Sequence, residues 1–141
     1  MKSQEHSLEL QYNSTENFIL IRKKGTLIID NVKYALTYIE RAYCSKKPDR
    51  IWDLSQADLT NADDNAVRYV VGYVMSFSNL KNRRVALVAS RKMSLIILEM
   101  YKTYAKEIKA NIGVFDSVAF AKKWLKEGVK EKPIHKMMWC G

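Results

Sequence analysis

The carboxylates that could do chemistry are densest in one short stretch of the chain. Asp53 lies near the end of a predicted strand, and Asp58, Asp63 and Asp64 follow it before a predicted helix. Clustered carboxylate oxygens at a strand end could hold a metal ion. Acidic residues are also typical of turns and of helix starts, where they meet the positive end of the helix dipole. The second interpretation is favoured, and we predict neither a metal site nor a cofactor.

The other residue types that carry catalysis are sparse. The two histidines, His6 and His135, both lie in end segments. A nucleophile needs a base beside it, and no pair of residues has a catalytic or zinc-binding spacing. Cys44 and Cys140 are far apart and form no metal or redox motif, which suits a reducing cytosol. The five glycines are scattered, so no phosphate-binding loop is predicted. We therefore expect a protein that is not an enzyme.

The charge of the chain is uneven. The 24 basic and 15 acidic residues give a net charge of +9, and residues 81–111 hold most of the excess. The basic residues that define this patch are Arg83, Arg84, Lys102, Lys106 and Lys109. The last three are spaced by four and three residues, which predicts one shared helix face. Such a patch attracts phosphates or an anionic membrane surface, although a solvated helix face explains it equally simply. No nucleic-acid-binding motif accompanies it, so nucleic acid is not the favoured partner.

The elements that must position these residues follow from the apolar pattern. Alternating and continuous apolar residues predict an N-terminal hairpin, then a helix that Asp30 caps. From about residue 50, short apolar runs alternate with helical patterns, which is typical of parallel strands joined by right-handed crossovers. Thr60 with Asp63, Asp116 or Ser117, and Gly128 are the predicted helix signals in this region. The prediction is an α/β fold: a single mixed sheet of four to five strands, mostly parallel with an antiparallel N-terminal hairpin, covered by four helices.

The same pattern bounds the domain and its location. We predict one domain over residues 1–141, with a core at about 8–128 and a C-terminal tail at 129–141. Apolar residues make up 48% of the chain, which is enough for a core. No apolar run approaches the roughly 18 residues of a membrane span, and no apolar segment follows the first residues. These features predict a cytoplasmic protein.

Several short motifs in this order resemble a known family. They are Asp53-Leu54-Ser55, the buried strand Val85–Ala89, Val114-Phe115-Asp116, and the helical segment Ala121–Leu125. Between about Phe18 and Leu125, the chain resembles the bacterial STAS-like domains, relatives of the anti-sigma-factor antagonists. Some of these are grouped with the CRAL-TRIO lipid-binding fold. The resemblance implies a small, non-enzymatic domain that binds partners or ligands.

The resemblance also implies where a regulatory hydroxyl would lie. In the signalling members, a phosphorylatable serine begins the helix after the Asp-Leu-Ser strand, and Ala62 stands at that position here. Alanine has no hydroxyl, so we predict that the phosphoserine switch is lacking. Ser55, Thr60 and Ser90 are the hydroxyls expected in loops at the strand ends.

Two predicted helices, at about 62–77 and 93–108, are apolar on most sides. A helix that covers a sheet needs only one apolar stripe, so these helices need further cover. The cover could be a second subunit, an apolar ligand, the tail segment Ile134–Trp139, or simply neighbouring helices. The residues predicted to form the ligand or partner surface are Tyr34, Tyr38, Tyr69, Tyr73, Met93 and Ile97.

Three functions are therefore ranked. The first is a STAS-like protein-interaction or regulatory module that forms a homodimer. The second is a carrier or sensor of a lipid or small apolar ligand, because tyrosines among apolar residues are typical of ligand pockets. The third is a binder of nucleic acid or of a membrane surface through the basic patch.

Overall fold

The strands of this protein form one mixed five-stranded sheet. The structure is a computed structural model, and it describes residues 8–76, 83–108 and 110–131. The strands are β1 (Leu8–Asn13), β2 (Phe18–Thr26), β3 (Asp49–Asp58), β4 (Arg84–Val88) and β5 (Asn111–Phe115). They lie side by side in chain order. β1 is antiparallel to β2, and the remaining neighbours are parallel. The predicted fold class and the N-terminal hairpin are confirmed.

Four helices connect and cover the strands. They are α1 (Ile29–Tyr43), α2 (Asp64–Met75), α3 (Lys92–Tyr104) and α4 (Val118–Glu131). Because α1, α2 and α3 each join two parallel strands, each helix runs back across the sheet to the edge where the next strand begins. Among the described residues, no helix is both long and apolar enough to cross a membrane.

The two faces of the sheet have separate cores because side chains alternate along each strand. Ile19, Ile21, Trp52 and Leu87 belong to the larger core, which α1, α2 and α3 cover. The opposite face carries a smaller core. It contains Phe18, Leu20, Ile51, Ala86, Val88 and, from α4, Ala121 and Leu125. Three helices on one face and one on the other leave most of the interior between the sheet and α1–α3.

Strands β2 and β3 are longer than the apolar pattern predicts. The run Lys23-Lys24-Gly25 would end a strand on local pattern alone, yet β2 continues through it to Thr26. Lys24 pairs with Gln56 and Thr26 with Asp58 beyond a register shift, so backbone pairing extends both strands through polar residues. Gly25 has a φ of 83°, which glycine adopts readily because it lacks a Cβ atom.

Helix starts differ in part from the predicted capping residues. At α1, Asn31 accepts a hydrogen bond from the Ile28 N–H, while Asp30 lies in the first turn. The prediction that Asp30 caps α1 is therefore wrong. At α2, Asp63 is the capping residue and accepts from the Ala66 N–H at 2.9 Å. Thr60 instead donates to Asp58, so the predicted capping box of Thr60 with Asp63 does not form.

The last two helices end at other residues than predicted. α3 stops at Tyr104 rather than near Ile108, and the Ala105 N–H closes its last turn on the Tyr101 carbonyl. Ser117 caps α4 as predicted, because its Oγ accepts from the Phe120 N–H. Gly128 was expected to close α4, but the helix continues to Glu131. A glycine inside a helix costs only about 1 kcal/mol, which neighbouring turns can offset.

Gly113 in β5 is closely packed on the face of the sheet that α4 covers. A Cβ atom at this position would lie 2.8 Å from the Phe115 ring and 3.3 Å from the Trp124 ring. We expect Gly113→Ala to lower the free energy of unfolding by about 1–3 kcal/mol through overpacking. Urea denaturation measures this loss. Adding Phe115→Leu should recover part of it, and an unchanged stability of Gly113→Ala would contradict the crowding.

Candidate ligand-binding cavity

A cavity of about 310 Å³ lies between the sheet and the three helices that cover its larger core. Its floor is the face of β3 and β4 that carries Trp52, Leu54, Val85 and Leu87. Its walls come from α1, α2 and α3. The principal wall residues are Val32, Leu36, Ala66, Val67, Val70, Val74, Ile97, Leu98 and Tyr101. Nearly all of this lining is aliphatic or aromatic, so the space suits an apolar molecule better than water.

The cavity extends along the strands, from the end of the sheet where β2 and β3 finish toward the end where β3 and β4 begin. Ile28 and Asn61 line the end where β2 and β3 finish, and both are exposed. Arg50, Val85 and Ile108 line the opposite end, and all three are buried. From Arg50 to Leu54, the floor covers four strand steps, or about 13 Å. The cavity thus has a mouth near Ile28 and Asn61 and a closed end near Arg50.

Arg50 is the polar residue of the closed end. It lies on the same face of β3 as Trp52 and Leu54, and strand pairing on both sides, with Ile19 and Val85, fixes its backbone. Only 3% of the residue is exposed. Its Nε is buried and has no hydrogen-bond partner among the described residues. Burial lowers the pKa of Arg50 to about 10, against the opposing effect of Glu40, so the guanidinium remains charged at neutral pH.

Tyr101 is a second polar group in the wall. It lies in the last turn of α3, where the chain returns to the end of the sheet at which β3 begins with Asp49 and Arg50. Burial raises the pKa of the Tyr101 hydroxyl to about 12. The hydroxyl is therefore protonated at neutral pH and can donate a hydrogen bond. A guanidinium and a hydroxyl are thus polar donors toward the closed end, and Asn61 is a polar residue of the mouth, in a lining that is otherwise mostly apolar.

The structure divides the surface predicted from the sequence. Ile97 lines the cavity, and Tyr73 is half-buried against the larger core. Tyr34, Tyr38, Tyr69 and Met93 are exposed on the outer faces of the helices. They do not line the cavity. The apolar excess of α2 and α3 is therefore explained in part by the cavity and in part by an exposed outer face, and the tail segment Ile134–Trp139 lies outside the described residues.

The predicted strand-end hydroxyls occupy two places near the sheet edge. Ser55 donates to Asp53 Oδ1 at 2.7 Å, and Ser90 donates to the Ser55 carbonyl at 3.4 Å. Thr60 donates to Asp58 Oδ1 at 2.6 Å. These hydrogen bonds give Asp53 and Asp58 a structural role in the strand end and the loop that follows it. Ala62 lines the cavity just before α2 begins. Among the described residues, no group of three His, Cys, Asp or Glu side chains could hold a metal ion.

Asp53 gives a prediction about pH. It is buried and forms an ion pair with Arg22 at 3.0 Å on the α4 side of the sheet. Burial alone would raise the pKa of Asp53, but hydrogen bonds from Ser55 and Arg22 lower it on balance. The carboxylate therefore stabilises the fold above its unfolded pKa of about 3.9, and this contribution disappears as the pH falls through its folded pKa.

We expect Asp53→Asn to lower the free energy of unfolding at neutral pH by about 1 kcal/mol, since Arg22 is partly exposed and its charge is screened. The difference from the wild type should shrink as the pH falls well below about 4. Urea denaturation at neutral and acidic pH measures both values. A difference that grows on acidification would show that Asp53 is protonated in the native state.

The residues of the predicted basic patch have different surroundings. Arg83 donates to the Lys47 carbonyl at 2.6 Å, and the Arg84 guanidinium lies 4.7 Å from the centre of the Trp124 ring. Lys102 and Lys106 are exposed. Lys106 lies beyond the end of α3, so the predicted shared helix face with Lys102 does not form. Lys109 lies outside the described residues. Arg83 and Arg84 thus form contacts within the protein in addition to contributing positive charge.

Sequence reasoning missed Arg50, Tyr101 and the residues of the cavity floor. One signal was present, since Arg50 precedes Ile51 and shares the strand period of Trp52 and Leu54. Comparison with protein-family models, with curated proteins and with solved structures found no match to this chain.

Proposed function

We propose that this protein is a non-catalytic domain that binds a small, mostly apolar molecule, as a carrier or sensor. The observation that supports this proposal is the cavity of about 310 Å³ with its apolar lining. Its volume lies at the lower end of the range of ligand pockets, which is about 300–1,000 Å³. It equals the space of about ten water molecules in the liquid.

The energetics of an empty cavity support the same proposal. Enclosed cavities left by core truncations destabilise proteins by about 24 cal/mol per Å³, because the atoms that line them lose dispersion contacts. Domains are stable by only about 5–15 kcal/mol in total. A space of this size would be a large cost if it had no occupant. A ligand that fills it would recover dispersion contacts and exclude water from the apolar walls.

Binding of a neutral apolar probe tests this proposal. N-phenyl-1-naphthylamine carries no charge and fluoresces strongly in apolar surroundings. We expect saturable binding at one site per chain, with a change in the fluorescence of Trp52, which forms part of the floor. Native mass spectrometry of the freshly purified protein should reveal a bound small molecule. No saturable binding, together with a ligand-free mass, would contradict the proposal.

Self-association is a second candidate, and the exposed aromatic residues of α1 and α2 favour it. Tyr34, Tyr38 and Tyr69 are 59%, 42% and 49% exposed. Tyrosine is enriched at protein interfaces because its ring is apolar and its hydroxyl is polar. In this proposal a homodimer forms through these tyrosines, as expected of a STAS-like interaction module. Light scattering at high micromolar concentration should give a dimer mass that Tyr34→Ser reduces, and a monomer mass would contradict it.

A further inference from the structure

Arg50 places a positive charge at the closed end of the cavity. Its Nε atom has no hydrogen-bond acceptor among the described residues. A buried charge without a partner is costly, and buried arginines are normally held by carboxylates or other acceptors. Arg50 is 3% exposed, lines the cavity, and has a buried Nε without an acceptor among the described residues. An anionic occupant of the cavity would therefore offset the cost of burying the Arg50 charge.

We infer that the ligand is an aliphatic carboxylate whose head group binds Arg50 and Tyr101 at the closed end, while its chain extends toward Ile28 and Asn61. This inference rests on the proposed function and specifies the ligand class for the same cavity. The guanidinium can bind a carboxylate with two parallel hydrogen bonds, which makes it specific for planar anions. The Tyr101 hydroxyl can donate a further hydrogen bond to the same group.

The length of the cavity floor sets a minimum length for the chain. The floor from Arg50 to Leu54 measures about 13 Å. Each C–C bond of about 1.5 Å advances an extended chain by about 1.3 Å, so about ten carbon atoms match this length. The volume of about 310 Å³ accepts one such chain.

The charge distribution around this end agrees with an anionic head group. Arg83 lies near enough to Arg50 to lower its pKa, and Arg84 begins β4 beside the strand position of Arg50. Glu40 and Asp49 oppose this positive field in part. A carboxylate beside Arg50 would be held by direct hydrogen bonds and by the surrounding positive potential.

The experiment compares decanoate with 1-decanol, which has the same chain length and no charge. Each competes with N-phenyl-1-naphthylamine for the wild-type protein. We expect decanoate to bind about tenfold to a hundredfold more tightly than 1-decanol, because charge-assisted hydrogen bonds are the stronger kind. Equal affinities would overturn the carboxylate inference while the proposed function stands. Failure of both competitors and of the probe would overturn both.

Variants identify the groups responsible. Arg50→Met should reduce the affinity for decanoate to that for 1-decanol, and Tyr101→Phe should reduce it by a smaller factor. Lys102→Met is the control, since it removes an exposed positive charge one residue away from Tyr101. It should leave the ratio of the two affinities unchanged. If Arg50→Met keeps the preference for decanoate, or if Lys102→Met alone removes it, the assignment of the head group to Arg50 is wrong.

Folding of the variants is followed by thermal unfolding without ligand. Burial of the Arg50 guanidinium carries a desolvation cost that the apolar Met side chain avoids, so Arg50→Met should unfold at the same or a higher temperature than the wild type. The comparison of decanoate with 1-decanol in the wild type needs no variant. It therefore tests the inference even if a substitution disturbs the fold.

Discussion

Ala66→Phe should weaken binding of N-phenyl-1-naphthylamine at least tenfold. Ala66 lies on α2 and lines the cavity beside Val67 and Val70. A phenyl ring at this position would occupy part of a space of only about 310 Å³. Because the ring fills an existing cavity, we expect no loss of stability beyond the small helix-propensity cost of about 0.5 kcal/mol. Fluorescence titration measures the affinity, and thermal unfolding measures the stability.

The matched control for this substitution is Asn65→Phe. Asn65 is the preceding residue of the same helix, is exposed, and does not line the cavity. It introduces the same phenyl ring on the same helix but outside the cavity, so it isolates the effect of filling the cavity. The control should bind the probe like the wild type. Equal binding by the two variants would show that the probe occupies another part of the molecule.

Trp52→Ala should produce the largest loss of stability among the substitutions considered. Trp52 is 7% exposed and belongs both to the larger core and to the cavity floor. Its truncation removes a large buried apolar surface and enlarges a space that is already present. Substitutions of this kind cost about 3–5 kcal/mol, a substantial fraction of the stability of a domain. Urea denaturation measures the change in the free energy of unfolding.

Trp124→Ala provides the comparison for Trp52→Ala. Trp124 is half-buried on the opposite face of the sheet, where its ring packs 5.2 Å from that of Phe115. Its loss should cost less and should leave probe affinity unchanged, because it does not line the cavity. If Trp52→Ala is no more destabilising than Trp124→Ala, the floor of the cavity contributes less to the core than its burial indicates.

The order of the elements could be predicted from local patterns. The continuous apolar run Val85–Ala89 and the short run Ile112–Phe115 are typical of strands covered on both faces, and both are strands here. Ser117 was predicted as a possible cap from its place before an apolar helix, and its Oγ accepts the expected bond. Such features depend on residues close together in the chain, so the sequence carries their signal directly.

Boundaries that depend on distant pairing were less predictable. β2 and β3 continue through polar residues because Lys24, Gly25 and Thr26 pair with residues about 32 positions away in the chain. α3 ends at Tyr104 although Lys106 and Ile108 continue its apparent period. At these places the backbone hydrogen bonds of the assembled sheet, or the path to the next strand, outweigh local propensity.

The amino-acid pattern alone was sufficient to predict the order of strands and helices, with a hairpin followed by three parallel crossover connections. Periodicity and turn residues act over only a few positions, so the sequence contains this information directly. The allocation of three helices to one face, and hence the cavity, required the folded chain. The same holds for Arg50, which lines the cavity together with Leu36, Val85 and Ile108. These residues are separated from it by 14 to 58 positions. Burial of one side chain depends on contacts between such distant segments, whereas periodicity within β3 indicates only the face of the sheet on which Arg50 lies.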